Sequence, residues 1–148
     1  MRHDDGFTLI EMMVVVALVA IAAGAVALTL RDGSADRLQR EGARLAALLE
    51  AARAEARASG LAVRFEPTTA DETGAAGFRF VGLPPGVPLP QHWLHAEISA
   101  EVVGARALVL GPEPLLPAQS VVLRLGEHRL RLASDGLAPF AVVAEAAP

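Results

Sequence analysis

Residues 6–30 read GFTLIEMMVVVALVAIAAGAVALTL, and from Phe7 to Leu30 the only ionisable side chain is that of Glu11. As an α-helix, this run of about 24 residues would extend about 36 Å, which exceeds the roughly 30 Å of a bilayer's hydrocarbon core. The pattern therefore predicts one membrane-crossing helix with some tilt. The run also explains the high mean hydropathy of the chain, +0.40.

Three kinds of N-terminal segment fit this run: a plain membrane anchor, a cleaved secretory signal peptide, and a processed signal whose apolar helix is retained. Small residues at 20–22 and 25–27 would suit cleavage of a secretory signal. Asp4, Asp5 and Glu11 count against that signal, because a carboxylate in a membrane helix is unfavourable. The string at the start of the run favours the third kind.

This string, GFTLIE at residues 6–11 followed by unbroken apolar sequence, resembles the prepilin peptidase signal of type IV pilins and type II secretion pseudopilins. The resemblance implies that a leader, residues 1–6, is removed after Gly6, that Phe7 becomes N-methylated, and that Glu11 is retained for assembly. The leader carries two acids where the family usually shows net positive charge. Acidic residues contribute little to the positive-inside bias, so the implied orientation stands.

The resemblance also implies a role for Glu11. A carboxylate in lipid needs a partner, and the α-amine of a neighbouring subunit's Phe7 supplies the opposite charge when helices pack into a fibre. The alternative is that the Glu11 side chain only extends to the cytoplasmic headgroups. The two hypotheses differ in whether assembly needs the carboxylate.

Residues 32–34 interrupt the apolar run, and a helical pattern then resumes through Ser59, so that the amphipathic continuation of the helix is assigned to residues 31–60. Its apolar residues recur at the helical period and predict one packed face, formed by Leu38, Leu45, Leu48, Leu49, Ala52 and Ala56. Acid–base pairs at helical spacing predict a solvated opposite face, with the pairs Asp36–Arg40, Arg37–Glu41 and Glu50–Arg53. Gly42 predicts a slight bend or a close approach, and Gly60 predicts a left-handed cap.

From Leu61 onward the pattern changes to short apolar segments separated by Gly and Pro. It predicts strands at 61–66, 77–82, 96–103, 106–110, 120–125, 128–133 and 137–144. The fold class is therefore α+β.

The clearest β element is a hairpin at residues 121–132, in which Gly126 and Glu127 form a type II′ turn. Its register predicts three core-facing pairs: Leu125 with His128, Leu123 with Leu130, and Val121 with Leu132. On the other face Arg124 stands opposite Arg129. Two like charges in this position are unfavourable, so an acid is expected nearby, with Glu97, Glu101 and Glu127 as candidates.

Composition and motifs argue against several kinds of site. The chain has no Cys, which excludes disulfides, a thiolate nucleophile and cysteine metal ligands. His92 and His95 are three residues apart, but no third ligand has suitable spacing and the flanking prolines disfavour a helix. We therefore predict no metal, no cofactor and no enzymatic activity, and an exposed loop at residues 83–95 with Trp93 as its packing anchor.

Two further strings, LGPEP at 110–114 and SDGLAPF at 134–140, resemble recurrent strings in the globular domain of H-type minor pseudopilins and the related FimT-type pilins. With residues 53–57, RAEAR, and the N-terminal string, the resemblance runs through nearly the whole chain. We interpret the motif residues as structural and assign them no chemistry: Gly111, Pro112, Glu113, Pro114, Asp135, Gly136 and Phe140.

The fold that the resemblance implies is pilin-like. A long N-terminal helix has a membrane half, residues 7–30, and an amphipathic half, residues 31–60. The amphipathic half packs on an antiparallel β-sandwich, residues 61–148, in the periplasm. The chain would cross the inner membrane once.

The implied function is that of a minor pseudopilin of the type II secretion system, a structural subunit of the pseudopilus tip used in protein export across the outer membrane. Implied partners are other minor and major pseudopilins, the prepilin peptidase and the inner membrane. The alternative is a FimT-type minor pilin of a type IV pilus that binds DNA for uptake. Nucleic acid is not the expected partner, because the net charge is −4 and phosphate binding would rest on Arg124, Arg129 and Arg131 alone.

Overall fold

The structure, a computed structural model, describes residues 8–29, 33–68 and 76–143. It divides into two compact units, Met1–Gly33 and Ser34–Pro148. The leader with Gly6, the predicted mature N-terminus Phe7 and the end of the predicted membrane segment at Leu30 lie outside the described residues.

The first unit contains helix α1, Leu9–Thr29. The hydroxyl oxygen of Thr8 accepts a hydrogen bond from the amide of Glu11 at 3.3 Å, which is the contact of a helix N-cap. Every described side chain of the helix, residues 9–24, is exposed. Within the part of the chain that the structure describes, no helix is both long enough and apolar enough to cross a membrane.

The second unit begins with helix α2, Ser34–Ser59. Its predicted apolar face is confirmed, except that Leu48 is half-buried. The fully packed members are Leu38, Leu45, Leu49, Ala52 and Ala56. Gly42 lies against the Leu130 side chain, as its lack of a side chain predicted. Gly60, with a φ of 69°, follows the last residue of the helix, as predicted.

Seven strands follow in the described residues: β1 (Val63–Thr68), β2 (Gly77–Val81), β3 (Ser99–Val102), β4 (Leu108–Gly111), β5 (Gln119–Leu125), β6 (His128–Ser134) and β7 (Ala141–Val143). They form two antiparallel sheets with the orders β2-β1-β4 and β3-β5-β6-β7. Helix α2 packs against strands of both sheets, which confirms the predicted α+β class.

The core joins the apolar face of α2 to the inner faces of the sheets. Its aromatic part is a cluster of Phe65, Phe78, Phe80 and Trp93. The Trp93 ring centroid lies 4.4 Å from that of Phe78, and the residue is 5% exposed. Trp93 is therefore the anchor of its loop, as predicted.

The predicted hairpin register is confirmed at every pair, including Arg124 opposite Arg129. Gly126 has a φ of 57°, and no described residue other than glycine has a positive φ. A positive φ at the first turn residue alone fits a type II′ turn. The expected acid is Glu101, whose Oε2 lies 2.8 Å from Nη2 of Arg124.

The strands differ from the predicted ones mainly at their ends, and the last strand differs most. It was predicted from residue 137, but β7 begins at Ala141. The cause is Asp135, whose Oδ1 accepts hydrogen bonds from the amides of Leu137 and Ala138. Those two amides are engaged in a local turn and are not free to join a sheet.

Candidate functional site

Glu11 is the one acidic residue of α1 and lies in its first turn. Its side chain is exposed, and its carboxylate makes no hydrogen bond or ion pair with another described residue. All around it the helix presents apolar side chains that are also exposed. A helix that is apolar on every side is stable when lipid or protein covers it. The first unit therefore presents an exposed apolar helix surface, suited to contact with lipid or protein, that contains one carboxylate.

In the second unit, Arg53 of α2 binds the motif loop, residues 134–140. Its Nη2 donates to the carbonyl oxygen of Gly136 at 2.6 Å, and its Nη1 donates to that of Ala138 at 3.1 Å. Arg53 is 3% exposed and lies 3.4 Å from Glu50. The predicted pair Glu50–Arg53 forms, but its description as solvated was wrong.

Glu50 contributes a second contact to the same loop. Its Oε1 accepts a hydrogen bond from the amide of Phe140 at 3.1 Å. Phe140 is 4% exposed and belongs to the core. One ion pair on α2 thus satisfies two carbonyl groups and one amide of the loop, and charged partners make such hydrogen bonds stronger than neutral ones.

Asp135 and Gly136 shape this loop from within. The hydrogen bonds from the amides of Ala138, at 2.7 Å, and Leu137, at 2.9 Å, hold the pKa of the Asp135 carboxyl below its usual value. Gly136 has a φ of 96°, and a Cβ there would lie 1.8 Å from the carbonyl oxygen of Leu116. Only glycine fits this close approach between the two motif-bearing loops.

The other motif ends β4 at Gly111, and the Gly111–Pro112 peptide is cis. Gly111 is buried, and a Cβ there would lie 3.0 Å from Cβ of Ala56 on α2. Glu113 and Pro114 are exposed. Both motifs thus lie where a β-sheet loop meets the C-terminal half of α2.

A second ion pair on α2, Glu41–Arg44, holds the loop at residues 83–95. Nη1 of Arg44 lies 2.5 Å from Oε1 of Glu41 and donates to the carbonyl oxygen of His92 at 3.2 Å. Oε2 of Glu41 accepts a hydrogen bond from the amide of Leu94 at 3.1 Å. Glu41 is 1% exposed, so the predicted solvated pair Arg37–Glu41 was wrong.

The sequence contained a signal for both buried ion-pair residues. Glu41 lies three residues after Leu38 and four before Leu45, and these leucines define the packed face. Arg53 lies four residues after Leu49 on the same face. Residues three and four apart share one side of a helix, so their position indicated burial although their charge indicated solvent.

Three arginines extend along the outer face of the second sheet. Arg124 is paired with Glu101, and Arg131 donates from Nη2 to Oγ of Ser120 at 3.0 Å. Arg129 is exposed and has no charged partner among the described residues. Those residues also contain no group of three His, Cys, Asp or Glu side chains placed to hold a metal ion.

Comparison with known proteins finds similarity at the N-terminus and in the fold. Residues 1–27 match the family described as the prokaryotic N-terminal methylation motif. No curated protein matches the chain. Among solved structures, the type IV minor pilin FimU of Pseudomonas aeruginosa strain PAO1 is similar, with a TM-score of 0.55 and 18% identity over 76% of this chain and 92% of the FimU chain. The chain therefore combines an N-terminal methylation motif with a pilin-like fold.

Proposed function

We propose that this protein is an H-type minor pseudopilin of a type II secretion system, a structural subunit of the tip of the fibre used in protein export across the outer membrane. The observation that carries the proposal is the presence, in one chain, of an N-terminal methylation motif and a pilin-like α+β fold. A structural role also agrees with the contacts of the motif loop at residues 134–140, whose backbone groups are engaged by the ion pair Glu50–Arg53 of α2.

In this proposal the prepilin peptidase removes residues 1–6 and Phe7 becomes the methylated N-terminus. Residues 7–30 anchor the chain in the inner membrane, with the second unit in the periplasm. The support is the apolar run in the sequence together with the exposed apolar side chains of α1, which require lipid or neighbouring helices as cover. The proposed span includes Phe7 and Leu30, which lie outside the described residues.

In this proposal Glu11 directs the assembly of subunits into the fibre. Its carboxylate is free of described partners, so it is available to the α-amine of a neighbouring subunit's Phe7. In a water-poor fibre core such a pair strongly penalises a wrong axial register, because a misplaced carboxylate stays unpaired.

A second candidate is a minor pilin of a type IV pilus, favoured by the similarity to a type IV minor pilin. The DNA-binding form of this candidate has weaker support. Glu101 already neutralises Arg124, so of the three arginines on the outer face of the second sheet Arg129 and Arg131 are available to phosphate. Affinity for a DNA backbone rises with the number of phosphates neutralised, and two cations provide little.

The test is complementation of a deletion strain with the wild-type gene, with Glu11→Ala, or with the control Glu113→Ala. Glu113 is an exposed acid of the second unit. We expect wild type and Glu113→Ala to restore protein secretion, and Glu11→Ala to be processed and folded but to secrete poorly. Normal secretion in the deletion strain, with lost pilus function, would favour the second candidate. Full secretion by Glu11→Ala would contradict the assembly role.

A further inference from the structure

A cavity of about 270 Å³ opens at the end of the second sheet, where β5 begins and β6 ends. Its polar lining is formed by Gln119, Ser120, Arg131 and Ser134, and its apolar lining by Val103, Ala118 and Ala133. Strand alternation explains why Arg131 and Ala133 face away from the core. Leu132 points into the core, so its neighbours Arg131 and Ala133 point to the other side of the sheet.

The polar groups of this cavity are held in place by the protein. Ser120 is 5% exposed, and its Oγ accepts a hydrogen bond from Nη2 of Arg131 at 3.0 Å. The Gln119 amide bonds the backbone of Val109 in both directions: Oε1 accepts from its amide at 2.7 Å, and Nε2 donates to its carbonyl oxygen at 2.9 Å. The guanidinium of Arg131 is thus tied to a buried hydroxyl, next to an amide held by the backbone of Val109.

What these groups still offer is hydrogen-bond donors. The Ser120 hydroxyl oxygen is already an acceptor for Arg131, and its own hydrogen has no acceptor in the described part of the chain. The other N–H groups of Arg131 likewise have no acceptor there. A guanidinium carries five N–H donors and no acceptor. The groups of Ser120 and Arg131 that remain unengaged among the described residues are therefore donors, and a ligand that binds them must bring acceptors.

We propose that this cavity binds the carboxylate of a protein neighbour, presented by an Asp or Glu side chain. A carboxylate supplies two acceptor oxygens. One can accept from the guanidinium of Arg131, and the other can accept from the hydroxyl of Ser120. The apolar walls, Val103, Ala118 and Ala133, suit the methylene groups of the incoming side chain. The volume accommodates a single side chain.

A nucleic-acid phosphate fits this surface less well. Phosphate-backbone binding depends on several cations in a row, whereas the lining of this cavity contains a single cation, Arg131, among the described residues. The adjacent Arg124 is engaged by Glu101. That the neighbour is another fibre subunit rests on the proposed function; the carboxylate site does not.

The experiment is a titration of the full chain in detergent micelles, followed by amide shifts in NMR spectra. The probes are N-acetyl-L-glutamate, its neutral analogue N-acetyl-L-glutamine, and duplex DNA. We expect saturable shifts at Ser120 and Arg131 with the glutamate alone. Arg131→Gln should weaken this binding by about 10- to 100-fold, the range for hydrogen bonds to charged groups.

The matched control is Arg129→Gln, which lies on the same face of β6, two residues along, outside the cavity lining. It should leave the affinity unchanged. As a second variant, Ala133→Glu places a carboxylate in the cavity and should block the probe while keeping Arg131 in place, so that a folding defect of Arg131→Gln alone does not decide the outcome.

Equal shifts with the glutamine analogue, or equal losses in Arg129→Gln and Arg131→Gln, would overturn the site. So would DNA binding at the same residues that is tighter than glutamate binding and falls steeply with salt. The two proposals fail separately. If Glu11→Ala abolishes secretion but the cavity does not bind N-acetyl-L-glutamate, the proposed fibre role stands and the carboxylate site does not. If glutamate binds but Glu11→Ala secretes normally, the site stands and the fibre role falls.

Discussion

The two helices of this protein use charge in opposite ways. In α1 the single carboxylate, Glu11, is exposed among exposed apolar side chains and has no described partner. In α2 the carboxylates of Glu41 and Glu50 and the guanidinium of Arg53 contact loops of the same unit. The comparison shows that α2 is covered by its own unit, whereas the described side chains of α1 are exposed; our proposal assigns their partners to lipid and neighbouring subunits.

The two helices also differ in how much of their apolar surface is buried. The apolar face of α2 is covered by the sheets, with Leu45 and Leu49 at 0% exposure. The apolar residues of α1 surround the helix, and Val16, for example, is 65% exposed. Burial of a Leu side chain contributes about 1.5–3 kcal/mol to the free energy of unfolding. The stability of the second unit therefore depends strongly on the apolar face of α2.

The largest expected effect separates the two helices directly. Leu49→Asp should unfold the second unit, because it buries an unpaired charge and leaves a cavity, at a cost of about 4 kcal/mol or more. Fluorescence of Trp93, the sole tryptophan, reports this unfolding in urea. The exposed neighbour on α2, Ala47, gives the control Ala47→Asp. Val16→Asp in α1 should also leave the Trp93 transition unchanged. A loss in Val16→Asp as large as in Leu49→Asp would contradict the comparison.

A smaller effect is expected from the ion pair that holds the motif loop. Arg53→Met keeps much of the side-chain volume but leaves the carbonyl oxygens of Gly136 and Ala138 without their donor. We expect a loss of about 2–3 kcal/mol in the free energy of unfolding, as for buried hydrogen bonds to charged groups. Arg40→Met, at an exposed position of α2, serves as the control. Equal small losses in the two variants would show that the buried contacts of Arg53 contribute little.

The smallest effect concerns pH. The two amide hydrogen bonds lower the pKa of Asp135 in the folded state below that in the unfolded chain. The carboxylate therefore stabilises the fold above the unfolded value, about 3.9, and this contribution is lost as pH falls through the folded pKa. The difference in melting temperature between wild type and Asp135→Asn should be present at neutral pH and shrink in acid. A difference that stays constant down to the acid limit would argue against this linkage.

The sequence predicted those parts of the fold whose signals are local. The hairpin register followed from alternation and a Gly-X turn, and the packed face of α2 followed from helical spacing. The acid beside Arg124 was also foreseen, because two opposed arginines needed one.

The contacts of Glu41 and Arg53 were missed because their partners are backbone groups of distant loops. Arg53 and Gly136 are 83 residues apart in sequence. No spacing rule connects a side chain to a carbonyl at that separation. The start of β7 was missed for a related reason, since the side chain of Asp135 competes with the sheet for nearby amides.

The central claim is that α1 is retained in the mature protein and makes its contacts outside its own unit. Intact-mass measurement of protein purified from membranes tests this claim most directly. We expect a mature chain that begins with N-methylated Phe7 and therefore keeps the whole of α1. A chain that begins after Ala22 or Ala27 would show that a secretory signal peptidase removes the helix, and it would contradict the claim.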